Sequence, residues 1–393
     1  MERTIGGQST QNACVMLFIL ISLAPVLLYI VQNAMAMAPD IPDSKLYMSQ
    51  FVDGLRTDNL AVRFYYVVYA PLQLAFGPDP IVSVMLNGVF NALTAGVSWL
   101  AYRELALRAN VRVLFIFGML FLLWPALARY SSAPVRESMF LMTWSLFIYG
   151  ASRGTGMHLF MAVMGGLCVV LLRPEFLPVV LLVHLVFVVA RIKSQWRIPM
   201  LVFGSVAMVW AGRWVMGLLN LDHLLSPERI AWERNYAVIR YGEDKVYGQV
   251  QWTSWVDVVK DAPKLLLWFL LSPFGTSDRP FQMVVAALDA VFSSLVILAG
   301  LCSFVTQKQR RETVWMACVA MVAISMAIVE YHVVGAVRHR MPVILMLLPP
   351  AASGIEHGIR NIIRKSRLGG ESVRREWSNG KGFVGVNRYE ESS

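Results

Sequence analysis

The chain has 393 residues, of which 57% are hydrophobic and only 15% charged, and its mean hydropathy is +0.56. A soluble domain carries roughly a quarter charged residues, so the composition argues against a soluble enzyme and for repeated passage through a bilayer. The net charge of +10 would suggest nucleic acid in a soluble protein. Here the excess sits in short segments between apolar runs and in the C-terminal tail, where membrane orientation accounts for it, and no nucleic-acid partner is expected.

In chain order, apolar runs predict helical spans over Cys14–Val31, Ile81–Ala101, Val113–Leu127, Ser138–Gly150, His158–Leu172, Phe176–Ala190, Pro199–Leu218, Phe281–Val305, Val314–Glu330 and Pro342–His357. About 20 apolar residues cross a hydrocarbon core as a helix. Ala34-Met35-Ala36 after the first run faintly resembles a cleavage site, but the run is long for a signal peptide and only Arg3 precedes it, so an uncleaved span is expected. With the N-terminus inside, the inner segments hold Arg103, Arg108 and Arg112, then Arg153, then Arg191, Lys193 and Arg197, then Lys308, Arg310 and Arg311. This follows the positive-inside tendency. Phe64–Phe76 and Leu265–Phe274 are shorter and interrupted by Pro71 and Pro273, so they read as helices at the outer interface.

The expected fold is therefore an all-α, polytopic integral membrane bundle of about ten spans, with interface helices in two long outer loops, 32–80 and 220–280. Residues 1–357 form the membrane domain and 358–393 a basic, disordered cytoplasmic tail. Cys14, Cys168, Cys302 and Cys318 all lie in apolar runs without metal spacing, so neither disulfides nor zinc are expected.

The charges on the outer side carry the chemical signal. Asp40 and Asp43 follow the first span, with Tyr47 one helical turn after Asp43. Asp43 is also placed to cap the N-terminus of a helix over Ser44–Leu55, whereas Asp40 has no such local role. Arg136 and Glu137 open the fourth span, and Arg173 and Glu175 flank Pro174 in a tight turn. Arg338, His339 and Arg340 precede the last span, three basic residues on the side that usually has few. Arginine suits phosphate because its planar fork gives paired donors. Arg213 and Asp289 lie inside spans, where charge is costly and marks function or pairing, and pairing with each other is expected.

These residues sit in a wider pattern. A first span is followed by Asp40, Asp43 and Tyr47. Then come Tyr69-Ala70-Pro71-Leu72 with Phe76-Gly77, Asn87, Arg136-Glu137 and Leu172-Arg173-Pro174. Leu270-Leu271-Ser272-Pro273-Phe274 and Arg338-His339-Arg340-Met341-Pro342 complete it. From about Asp40 to Pro350 the chain resembles polyprenyl-phosphate-sugar-dependent membrane glycosyltransferases of the GT-C fold. The resemblance implies transfer of a sugar from a polyprenyl-phosphate carrier to a glycan or lipid acceptor on the extracytoplasmic side of a membrane, the bacterial inner membrane being the expected one. It implies a first-loop carboxylate as catalytic base, Asp43 or Asp40. It also implies substrate binding by outer residues, with Arg338 and Arg340 on the lipid phosphate and Tyr47, Arg136, Glu137, Arg173, Glu175 and His339 around them. No cofactor is implied: the two aspartates are three apart and the neighbouring acidic pair usual in the family is missing, which leaves a divalent metal without support. The Arg136-Glu137 pair after Pro134 also resembles Wzy-type polysaccharide polymerases, and a non-catalytic transporter of lipid-linked sugar is the rival from another class.

Overall fold

The computed structural model describes residues 2–35, 41–55, 57–105, 110–218, 226–242, 246–247, 249–271, 280–307 and 310–378. Asp40 lies outside them, as does the Arg213 side chain. Among the described residues the fold is helical throughout, with one isolated backbone bridge between Val246 and His332 and no strand. The helices are α1 (Glu2–Ala34), α2 (Pro42–Val52), α3 (Leu60–Phe76), α4 (Pro80–Leu105), α5 (Val111–Leu122), α6 (Pro125–Ser131), α7 (Glu137–Arg153) and α8 (Met157–Leu172). A 3-10 turn, Pro174–Phe176, leads into α9 (Leu177–Arg191). Then follow α10 (Ser194–Leu218), α11 (Pro227–Tyr241), α12 (Trp255–Leu271), α13 (Pro280–Gln307), α14 (Arg310–Val329), α15 (Val333–His339) and α16 (Met341–Ser378).

Helix forms over each of the ten expected runs, but not all meet the requirements of a span alone. Among the described residues five stretches are long and apolar enough to cross a membrane: Val15–Ala34, Pro80–Arg103, Pro174–Arg191, Val284–Thr306 and Glu312–Val329. Helices α5 and α6 together make a sixth, bent by 57°. The expected single span Val113–Leu127 is thus broken at Leu123–Trp124, because Pro125 cannot donate the backbone bond that would continue α5 and instead starts α6. At 16 residues, α8 is about 24 Å long, short of a hydrocarbon core of about 30 Å.

One further expectation is corrected. Pro71 does not interrupt the Phe64–Phe76 helix, since α3 runs from Leu60 to Phe76 with Pro71 inside it. Helix α16 continues to Ser378, through the first part of the segment read as the tail. Extending an existing helix costs no nucleation, and Arg360 pairs with Glu356 one turn before it. Residues 379–393 lie outside the described set.

In the packing, α4 lies between α1 and α7, and α7 between α4 and α8. Helix α16 packs on α13 and α5, while α14 packs on α12 and α9, and α9 on α10. The α7–α8 contact is very close: a Cβ on Gly150 would meet the backbone of Ala162 and His158 at 2.4 Å, and one on Gly165 the backbone of Phe147 at 2.6 Å. Small residues let helices approach in this way where lipid supplies no hydrophobic drive between them. The outer surface is apolar. On α13, Val284, Leu288, Val291, Leu295 and Leu298 are exposed, while Asp289, Ser293 and Val296 are buried. An exposed apolar stripe opposite a packed polar one fits a helix that faces lipid on one side and protein on the other.

Candidate functional site

The expected outer residues converge at one end of the bundle, and the centre is Glu137. It opens α7 and is fully buried. Its Oε1 accepts from Arg338 Nε at 2.8 Å and Nη2 at 2.5 Å, and from Arg173 Nη2 at 3.2 Å. Arg338 Nη2 also lies 2.8 Å from Asp43 Oδ2, and the guanidinium stands over the Tyr130 ring, 5.6 Å from its centroid. Arg173 Nη1 is 3.8 Å from Glu175 Oε1. Four stretches distant in sequence thereby meet: the start of α2, the start of α7, the α8–α9 turn and the end of α15.

Local structure explains how each is held. Asp43 lies in the first turn of α2 after Pro42, but it does not cap the helix. Ile41 occupies the cap position and no side chain bonds there. The expected capping role of Asp43 is therefore absent, and its carboxylate turns to Arg338 instead. Tyr47, one turn on, is buried against Tyr65 with ring centroids 4.3 Å apart, and Tyr65 stacks on Tyr69 at 4.0 Å. Tyr69 donates to Asn87 Oδ1 at 2.6 Å, while Asn87 Nδ2 donates to the carbonyls of Ser131 and Ala133 at 3.1 and 2.8 Å. This chain of contacts ties α2, α3 and α4 to the turn that delivers Arg136 and Glu137. Arg136 Nη1 donates to the Leu172 carbonyl at 2.7 Å, holding the end of α8 and with it Arg173.

The charges shape each other. Burial opposes ionisation of Glu137, but Arg338, Arg173 and Arg136 outweigh it and hold its carboxyl down at about 2. Burial and the neighbouring Arg136 and Arg338 lower Arg173 to about 10, against the pull of Glu137 and Glu175. Arg338 is raised, Glu137 overcoming its own desolvation. Burial pushes the Tyr47 phenol up to about 12, so it remains a neutral hydrogen-bonding group. Glu137 is thus a fixed anion that positions guanidiniums, while Asp43, partly exposed, is a carboxylate a ligand can reach.

A second group of contacts adjoins the first. His339 Nδ1 is paired with Glu330 Oε2 and its Nε2 lies 3.8 Å from Glu175 Oε1. Glu330 is buried, and its Oε1 also accepts from the backbone amides of Tyr331 and His332 at 2.9 and 2.6 Å. Burial opposes ionisation of Glu330, but His339 and His332, the latter in part through its backbone amide, outweigh it and keep the carboxyl at about 2.

One expectation is corrected here. Arg340 does not join Arg338. It is buried, and its Nε and Nη2 donate to Asp289 Oδ2 at 2.9 and 2.5 Å while Nη1 donates to the Leu270 carbonyl. Asp289 pairs with Arg340, and its Oδ1 accepts from Trp124 Nε1 and the Ala126 amide at 3.1 and 3.2 Å; the expected Arg213–Asp289 pairing rests on a side chain outside the described residues. Arg338 and Arg340 are two positions apart, about 200° around a helix at 3.6 residues per turn, which sends the two arginines to different partners.

Arg234 carried no signal in sequence, since it sits in a polar, charged stretch. It is fully buried, and its Nη1 donates to the carbonyls of Ala327, Ile328 and Glu330, closing the end of α14 beside Glu330. Among the described residues no group of three or more His, Cys, Asp or Glu side chains is arranged to hold a metal ion. No protein-family model matches the chain, and no curated protein matches its sequence.

Proposed function

We propose that this chain is a membrane glycosyltransferase of GT-C type that moves a sugar from a polyprenyl-phosphate carrier to a hydroxyl of a glycan or lipid acceptor. In this reading about ten helical segments span or enter the bacterial inner membrane, and the Asp43–Arg338 end of the bundle faces the extracytoplasmic side. The observation that carries it is the Asp43–Arg338 contact of 2.8 Å, partly exposed and backed by the buried Glu137.

Arg338 is the group a phosphate would take. Glu137 fixes it through Nε and Nη2, leaving a guanidinium edge for an anion. A phosphate there competes with Asp43 for Nη2. Once displaced, the Asp43 carboxylate is free to take the proton of the acceptor hydroxyl. The acceptor oxygen then bonds to the sugar carbon as the bond from that carbon to the phosphate oxygen breaks, and the carrier phosphate leaves with the electron pair. Arg338 stabilises the charge that develops on the leaving phosphate. Base and phosphate ligand are thereby coupled: the base becomes available when its guanidinium partner is occupied.

The test is transfer by the purified full chain in lipid nanodiscs, with a panel of polyprenyl-phosphate hexoses as donors and carrier binding measured alongside. Asp43→Asn should lose about 10²–10⁴ in rate, the usual worth of a general base, while carrier binding survives. Arg338→Ala should weaken binding, and Arg338→Lys should restore it only in part, because lysine lacks the paired donors. Full activity of Asp43→Asn would exclude the carboxylate mechanism. Carrier binding and movement without transfer would favour a transporter.

A further inference from the structure

We infer that His339 is a second acid–base group of this site, held in place by Glu330, and that it supplies the proton taken up by the departing phosphate oxygen. The inference rests on the glycosyl-transfer reading for the identity of the reaction, and on the Glu330–His339–Glu175 geometry for the residue.

The arrangement is a buried carboxylate behind an imidazole whose other nitrogen faces the site. Glu330 Oε2 pairs with Nδ1. Glu330 itself is fixed by two backbone amides through its other oxygen, so its orientation does not depend on His339. The imidazole is partly exposed, and Nε2 faces Glu175, also partly exposed, at 3.8 Å. A ring that carries a proton on each nitrogen therefore has a carboxylate opposite both. A carboxylate behind one histidine nitrogen sets which way the ring points and what its other nitrogen offers.

The backbone is built around this pair. A Cβ at Gly335 would stand 2.7 Å from both Glu330 oxygens, so α15 passes the carboxylate at a distance only glycine permits. The Gly335 amide in turn bonds His332 Nδ1 at 3.2 Å. The other charged or titratable groups nearby include Arg173, joined to Glu175, Arg338, the residue before His339, joined to Glu137 and Asp43, and Arg234 and His332 beside Glu330. His339 thus directly follows the arginine assigned to the phosphate and turns its Nε2 to a carboxylate at the edge of the site. A structural ion pair alone would not require the far nitrogen to be presented to a second, solvent-reachable carboxylate.

In the reaction Asp43 takes the acceptor proton and the sugar carbon–phosphate oxygen bond breaks. Nε2–H then gives its proton to the departing oxygen, leaving a neutral imidazole on Glu330. Exchange with water through the exposed edge restores both groups. Glu330 touches no substrate in this scheme and is a positioning residue.

The experiment uses the full chain in nanodiscs with short-chain polyprenyl-phosphate hexoses and, in parallel, glycosyl fluorides, whose leaving group needs little protonation. His339→Gln should slow transfer from the phosphate donors about 10²–10⁴-fold, leave carrier binding within about twofold, and slow the fluoride donors far less. His339→Ala should recover part of the rate when imidazole is added, and Glu330→Gln should lower turnover without raising KM. Equal loss on both donor types, or no response to imidazole, would overturn the acid role. Nitrogen-15 NMR of the histidine-labelled chain gives a reading independent of transfer. The Nδ1 proton should be strongly hydrogen-bonded in the wild type and lose that signature in Glu330→Gln. If the wild type transfers no sugar from any donor, the glycosyltransferase reading falls alone provided that signature is seen. A ring without it would refute the dyad itself.

Discussion

Replacing Glu137 by glutamine is the most searching single perturbation of this fold. The carboxylate is buried and serves Arg338 and Arg173 together. Removing one partner from a buried ion pair costs about 3–5 kcal/mol, because the other charge is left uncompensated. The titration gives a second route to the size. Lowering the carboxyl from its ordinary 4.5 to about 2, at ~1.4 kcal/mol for each tenfold change, corresponds to roughly 3 kcal/mol of folding stability. Because the folded value is depressed, this contribution is fully present above the ordinary carboxylate range and is lost as pH falls from about 4.5 to about 2. Glu330 titrates over the same window, so the wild type alone does not isolate Glu137, whereas the difference between wild type and Glu137→Gln does. Unfolding of both proteins in the same detergent, from pH 7 to pH 3, should show Glu137→Gln less stable by about 3 kcal/mol at pH 7, with the gap narrowing on the acid side. A variant as stable as the wild type at pH 7, or a gap unchanged down to pH 3, would refute the placement of Glu137 between the two arginines.

Other outcomes follow from single contacts. Gly335→Ala should displace the Glu330 carboxylate and cost about 1–3 kcal/mol as an overpacked site, with transfer falling alongside; an unaltered protein would contradict the close approach. Asp289→Leu or Arg340→Leu alone should each cost about 3–5 kcal/mol, while the double variant should be milder than either, since an apolar replacement removes both buried charges at once. A double variant worse than both would show that the two residues do not act as a pair. Cysteine placed at Ser49 should be labelled by a membrane-impermeant reagent in intact cells and cysteine at Arg310 should not; labelling at Arg310 would invert the proposed orientation.

Much of this arrangement was legible in the sequence because charge is scarce in it. Asp43, Glu137, Arg173, Glu175, Arg338 and His339 stand out at the ends of apolar runs, and assigning them to one side of a membrane places them near one another. Their pairing was not legible. Glu137 meets Arg173 across 36 residues and Arg338 across 201, and nothing in local periodicity encodes such distances. Hydropathy also hid the break between α5 and α6, since Leu122, Leu123, Trp124, Ala126 and Leu127 are all apolar and only Pro125 signals it. Composition also gave no sign that α16 runs on to Ser378. Gly369-Gly370 and the polar residues after them weaken an isolated helix, but here they extend one already nucleated by packed residues of α16 such as Ile344 and Leu348.

The triplet Arg338-His339-Arg340 shows how a sequence cluster divides once it is folded. Read linearly, it is a single basic patch suited to one anion. In the structure the last turn of α15 ends there and α16 begins at Met341, so the three side chains leave in three directions. Arg338 goes to Glu137 and Asp43, His339 to Glu330, and Arg340 to Asp289. Each partner lies on a different element, respectively α7 and α2, the end of α14, and α13. The junction therefore fastens four parts of the bundle through residues within three positions of each other. Only Arg338 and His339 keep exposed edges, whereas Arg340 is wholly enclosed. A ligand that draws on Arg338 pulls on the same short segment that locks Arg340 into the core, and this gives the site a rigid floor. Catalysis by placed charges needs such a floor, because dipoles and ions stabilise a developing charge only if they do not have to move to meet it.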